Sequence, residues 1–81
     1  MPTVLRVGSL RFHFYSDEGN EPAHIHVRTP DGEAKFWLYP NVLLAYSRGL
    51  KTADLKQSES ICYKHLDDFI SAYQKFHNGQ R

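Results

Sequence analysis

Five residues, His24-Ile25-His26-Val27-Arg28, alternate polar and apolar, and that alternation limits what this chain can fold into more than any other feature. It is the period of a half-buried strand. Successive side chains leave opposite faces, so His24, His26 and Arg28 share one side and Ile25 and Val27 the other. A strand with one apolar face needs a core on that side. Its other face offers two imidazoles and a guanidinium to solvent, a ligand or a partner. Pro22 has no backbone N–H for a sheet and suits the residue that delivers the chain into the strand. The same period recurs on either side. Leu10, Phe12 and Phe14 alternate with Arg11, His13 and Tyr15, and Ala34, Phe36 and Leu38 alternate with Glu33, Lys35 and Trp37.

Turn residues separate these stretches. Gly8-Ser9, between Thr3–Val7 and Leu10–Tyr15, predicts a hairpin with a two-residue loop. Ser16–Glu21 is a polar, turn-rich loop, and Thr29-Pro30-Asp31-Gly32 carries the Pro-Asp-Gly turn signal. After a turn at Tyr39-Pro40-Asn41, Val42–Tyr46 fits either a fifth strand or an irregular buried segment, because periodicity alone does not choose between them. From Thr52 the period changes. Leu55, Cys62, Leu66, Phe69, Ile70, Tyr73 and Phe76 recur at spacings of three, four and seven, the stripe of one amphipathic helix. Thr52 is its expected N-cap, Asp54 favours the positive end of the dipole, and Asn78-Gly79 is its stop. The expected fold is therefore α+β: a four- or five-stranded, mostly antiparallel sheet with one C-terminal α-helix packed on the apolar face. The opposite face then carries Arg11, His13, Tyr15, His24, His26, Arg28, Lys35 and Trp37.

Size and composition narrow the classes. At 81 residues the chain is one domain, 1–81, with one modest core, and 41% apolar content is too high for a disordered polymer. The formal net charge of +1 names no partner by bulk attraction. A single Cys62 excludes an internal disulfide and fits a reducing cytoplasm. No apolar run approaches the roughly 20 residues that span a bilayer, and Met1–Arg6 lacks the apolar region of a signal peptide, so a cytoplasmic protein is expected.

The polar face admits three chemistries. His24 and His26 could chelate a metal through neutral ring nitrogens, with His13 or Glu33 joining from neighbouring strands, although no Cys or His-x-x-His spacing supports a structural zinc site. The same pair could divide base and acid duties in a metal-independent ribonuclease, with Arg11, Arg28 or Lys35 steadying the developing charge. Third, Tyr15 and Trp37 interleaved with Arg11 and Arg28 form a recognition surface for RNA or a protein partner, the histidines adding hydrogen bonds. Histidines on strands also often do nothing but solvate, and for His65 and His77 on the helix that is the plainer reading.

One stretch carries a resemblance. Pro22-Ala23-His24-Ile25-His26-Val27 is similar to a Pro-Pro-His-x-His motif, and Gly32-Glu33-Ala34 opens the next strand. With the Met1-Pro2 start, the alternating strand ending at Tyr15, the acidic loop and the aromatic C-terminal helix, the chain resembles a family of small bacterial proteins of unassigned function, DUF4160. Ala23 departs from the second proline but leaves the His-x-His pair intact. Such proteins are often encoded beside another small protein, so the resemblance implies a paired, toxin–antitoxin-like role. The expected function is recognition, exercised through the His/Arg/aromatic face on a protein partner or RNA, with homo-oligomerisation open.

Overall fold

The Gly8-Ser9 spacing produces the hairpin it predicts. In a computed structural model, which describes residues 3–15 and 20–78, β1 (Thr3–Val7) runs antiparallel to β2 (Leu10–His13) with Val7 opposite Leu10. Gly8 takes the positive φ of +58° that such a two-residue turn requires, at no Cβ penalty. The Met1-Pro2 start, most of the 16–21 loop and the Gly79 stop lie outside the described residues.

β3 (His24–Thr29) and β4 (Gly32–Trp37) form a second hairpin, where the Asp31 N–H donates to Thr29 Oγ1 at 3.1 Å. β5 (Leu43–Arg48) follows the cis Tyr39–Pro40 bond and settles the choice at Val42–Tyr46 in favour of a strand. It is not a buried one: all six residues are exposed, and only Val42, just before it, sinks into the core. The sheet is a fully antiparallel meander in the order β1-β2-β3-β4-β5. Between Lys35 and Phe36 its last pairing is irregular, so that Lys35 faces Tyr46 while Phe36 faces Leu44.

The C-terminal segment corrects the single-helix expectation. It forms α1 (Thr52–Lys64) and α2 (Leu66–Asn78), divided at His65, whose φ of −111° and ψ of 23° leave the helical region. Hydrogen bonding continues around the bend, from the His65 N–H to the Ile61 carbonyl at 2.9 Å and from the Phe69 N–H to the His65 carbonyl at 2.8 Å. No Gly or Pro marks the break. Its local signal is acidic: Asp67 and Asp68 occupy the first turn of α2, where the helix dipole favours them. Thr52 is not the cap either. Lys51 holds that position with extended backbone and no side-chain capping bond, and Thr52 is already helical.

The two helices cover the face that parity assigns to the core. Leu10, Phe12, Phe14, Ile25, Val27, Ala34, Phe36 and Leu38 are all buried, against Ile61, Cys62, Phe69 and Tyr73 from the helices. α2 lies over β3 and α1 over β4. Burial, with a smaller push from Glu59, raises the Cys62 thiol to about 12, so it is packing material rather than a nucleophile. Among the described residues no helix is long and apolar enough to cross a membrane.

Candidate functional site

The register sorts the polar sheet face into three rows across the strands. Arg6, Arg11, Arg28, Glu33 and Arg48 are successive partners from β1 to β5. The next row is His13, His26, Lys35 and Tyr46, and the third joins His24, Trp37 and Leu43. All eight residues expected on this face are there, but they do not share one environment.

The histidine region is closed, which corrects the expectation that its imidazoles face solvent. His13, His24 and His26 are 2%, 1% and 3% exposed. The rings of His13 and His26 stack at 5.7 Å, and His24 stands across His26 at 5.5 Å. Tyr15 sits edge-on to His26 at 4.4 Å and to His13 at 5.0 Å, while Trp37 and Tyr73 flank His24 at 5.6 and 5.4 Å. Glu21 ties this layer down. Its carboxylate accepts from Lys35 Nζ at 2.7 Å, and its carbonyl accepts from the Tyr73 hydroxyl at 2.9 Å. Lys35 therefore lies buried over the Trp37 ring, 4.3 Å from its centre, and is committed to Glu21 rather than to a phosphate. Tyr15 and Trp37 carry the parity of this face, whereas Glu21 and Tyr73 come from a loop and a helix, of which strand periodicity carries no trace.

Ring orientation follows from two backbone contacts. His24 Nδ1 donates to the Pro22 carbonyl at 2.8 Å and His13 Nδ1 donates to the Arg11 carbonyl at 3.3 Å, because a carbonyl can only accept. His13 Nε2 is buried with no hydrogen-bond partner among the described residues. Among those residues no three His, Cys, Asp or Glu side chains are placed to hold a metal ion. For His24 and His26 to act on a phosphodiester, the Tyr15 and Trp37 rings would have to move aside. His77, read as a plain surface histidine, is instead packed against Tyr73, Phe76 and Phe14.

Burial lowers the His13 imidazole below its ordinary value; the Arg11 carbonyl opposes this, and positive charge from His26, Arg11 and Arg28 adds to it. An unfolded chain takes up the proton near pH 6.5, whereas the folded one waits for lower pH, so stability rises with pH between the two values. The contribution is complete above about pH 6.5 and is lost as pH falls through the folded value. Urea midpoints measured from about pH 7.5 to about pH 5 should fall, and His13→Gln should flatten the fall in that window. An unchanged slope in the variant would rule His13 out as the source.

The other two regions are open. Arg6, Arg11 and Arg28 line a shallow cavity of about 340 Å³ with Gly8, Ser9, Thr29 and Pro30. Arg6 is the residue that the sequence reading missed, although its signal was available: a two-residue loop with Val7 opposite Leu10 puts Arg6 opposite Arg11. At the far edge, Trp37 joins Pro22, Tyr39, Pro40, Asn41, Val42 and Leu43 around a mostly apolar cleft of about 360 Å³. Leu43 and Tyr39 are each 64% exposed there, and Leu44 and Tyr46 stand open along the same strand. Neither Leu43 nor Tyr39 was singled out from sequence, since an exposed leucine on an edge strand reads like any core leucine.

No curated protein and no solved structure matches the chain. Residues 9–74, which hold four of the strands, all of α1 and the larger part of α2, match the family model described as a domain of unknown function, DUF4160. The Gly32-Glu33-Ala34 stretch falls inside that match and has a physical reason here: a Cβ on Gly32 would collide with the Arg48 carbonyl, and Ala34 is fully buried. The chain belongs to the DUF4160 family.

Proposed function

We propose that this is a cytoplasmic recognition protein, one member of a two-protein pair, whose partner docks on the β5 edge and the Trp37 cleft. The observation that carries this reading is the exposure of β5. An edge strand presents unpaired backbone donors and acceptors, and proteins usually blunt such edges with lysine, proline or a cover. Leu43–Arg48 has neither lysine nor proline, is exposed throughout, and shows Leu43, Leu44 and Tyr46 to solvent. A partner strand adding to β5 would gain main-chain hydrogen bonds and could place an apolar side chain into the cleft between Trp37, Tyr39 and Leu43. Of the eight residues that the sequence offers as a binding face, Trp37 stays in the docking surface. The closed His24/His26 pair supports packing better than catalysis.

The test is capture on immobilised protein from the native host. Trp37→Ala and Leu43→Glu should each weaken the captured complex by about 2 kcal/mol or more, as central anchors do. Arg28→Gln, on the far side of the face, should leave it intact. Capture that survives both β5-edge variants would defeat the reading. Recovery of nothing but the same chain would make the partner a second copy.

A further inference from the structure

Three positive charges stand side by side at the end of the polar face farthest from the Trp37 cleft. Arg6, Arg11 and Arg28 are direct register neighbours on β1, β2 and β3. Neighbouring strands lie about 4.8 Å apart, so the three backbones that carry these guanidiniums fall within about 10 Å. Like charges placed directly opposite one another weaken a sheet. Among the described residues Glu21 takes Lys35 and Asp31 takes Lys51 at 3.5 Å, while Glu33, the cross-strand neighbour of both Arg28 and Arg48, accepts from the Tyr46 hydroxyl at 3.2 Å and forms no ion pair with either. Among the described residues none forms an ion pair with Arg6, Arg11 or Arg28. The Gly8-Ser9 turn and the Thr29-Pro30 corner rim the cavity that these arginines line.

We propose that this cavity binds a phosphate group, carried by a nucleotide or by a nucleic-acid chain, with Arg6, Arg11 and Arg28 donating to its oxygens. A guanidinium is permanently charged and presents a planar fork of donors that matches oxyanions in bidentate fashion. A terminal phosphate turns three oxygens in different directions and can receive three forks arriving from three strands, whereas along a nucleic-acid chain, where each diester offers two non-bridging oxygens, neighbouring phosphates would share the three forks. A single planar carboxylate, with about four acceptor sites on two oxygens, is filled by two bidentate forks and leaves the third without a bidentate match. The site is independent of partner docking at β5, since it lies on the opposite half of the sheet.

Sodium phosphate, adenosine 5′-monophosphate and a short single-stranded RNA without a terminal phosphate serve as probes. Binding is followed by calorimetry and by NMR of the arginine side-chain N–H groups. At least one probe should saturate and shift all three arginines. Replacing any one of them with Gln should weaken that probe roughly ten- to a hundredfold, the usual loss for a hydrogen bond to a charged group. Arg48→Gln, in the same row but beyond Glu33, should change nothing. Without ligand, Arg11→Gln should melt at the same temperature as the parent or higher, because it removes a like-charge contact. That outcome separates binding from folding. Saturation by phosphate or the nucleotide alone identifies a free nucleotide as the source. Saturation by RNA, with a log–log salt slope of about 0.7 per phosphate contacted, identifies a chain. The proposal fails if no probe saturates, if the Gln variants bind like the parent, or if oligoglutamate displaces the probe at equal charge concentration.

Discussion

Phe12→Ala is expected to lose about 3–5 kcal/mol of folding stability, the range for removing a buried aromatic ring and leaving its cavity. Phe12 is 0% exposed and sits at the centre of the core, its ring 5.5 Å from that of Phe69 on α2. It joins the sheet to the second helix, so truncation deprives both of a neighbour. In a domain of this size each kcal/mol shifts the melting temperature by about 4–8 °C, and total stability is on the order of 5–15 kcal/mol. The variant should therefore melt tens of degrees lower or populate the unfolded state at ambient temperature. Arg11→Ala, one residue away on the opposite face, should stay within about 0.5 kcal/mol of the parent. Urea melts of both variants check the contrast. Similar losses would mean that β2 is buried equally on its two sides at this point, against the observed pattern.

Gly32→Ala should cost about 1–3 kcal/mol, as overpacking does, and the loss should be local. The missing Cβ would run into the Arg48 carbonyl oxygen, with the Arg48 and Gly49 carbonyl carbons each only 2.9 Å away. These are backbone atoms, so no rotamer change relieves the clash. β4 and β5 must separate instead. Amide hydrogen exchange should show β5 losing protection while the β2–β3 pairing keeps its own, since stability is distributed in local units. The same substitution should weaken docking at the β5 edge without touching Trp37. Uniform protection across the sheet, or a variant as stable as the parent, would show that the close approach does not constrain the chain.

These expectations rest on two kinds of information. The choice of core face was legible residue by residue: every apolar position of the three alternating stretches is buried, because a period of two leaves a strand no other way to hide its hydrophobic set. The hairpin at Gly8-Ser9 was equally local, and with it the placement of Arg6 beside Arg11. The arginine end of the site was thus within reach of the sequence, through loop length alone. The division of the helix at His65 was not, because α1 and α2 each follow the sheet they cover and the bend carries no glycine or proline.

What alternation could not convey is how deeply a polar face is covered. His24 and Arg28 have the same parity on the same strand, yet His24 is sealed and Arg28 is exposed. The difference comes from Glu21, Trp37 and Tyr73, which reach His24 from a loop, the next strand and a helix about 50 residues away in the chain. β5 shows the converse, an apolar strand left open because it lies last in the sheet, with no further strand beyond it among the described residues. By itself the sequence determined the first four strands, their faces and the Gly8-Ser9 turn, since those follow from backbone geometry over a few residues. Only the tertiary structure decided which imidazoles, lysines and leucines meet solvent, because exposure depends on which distant side chains come to rest above them.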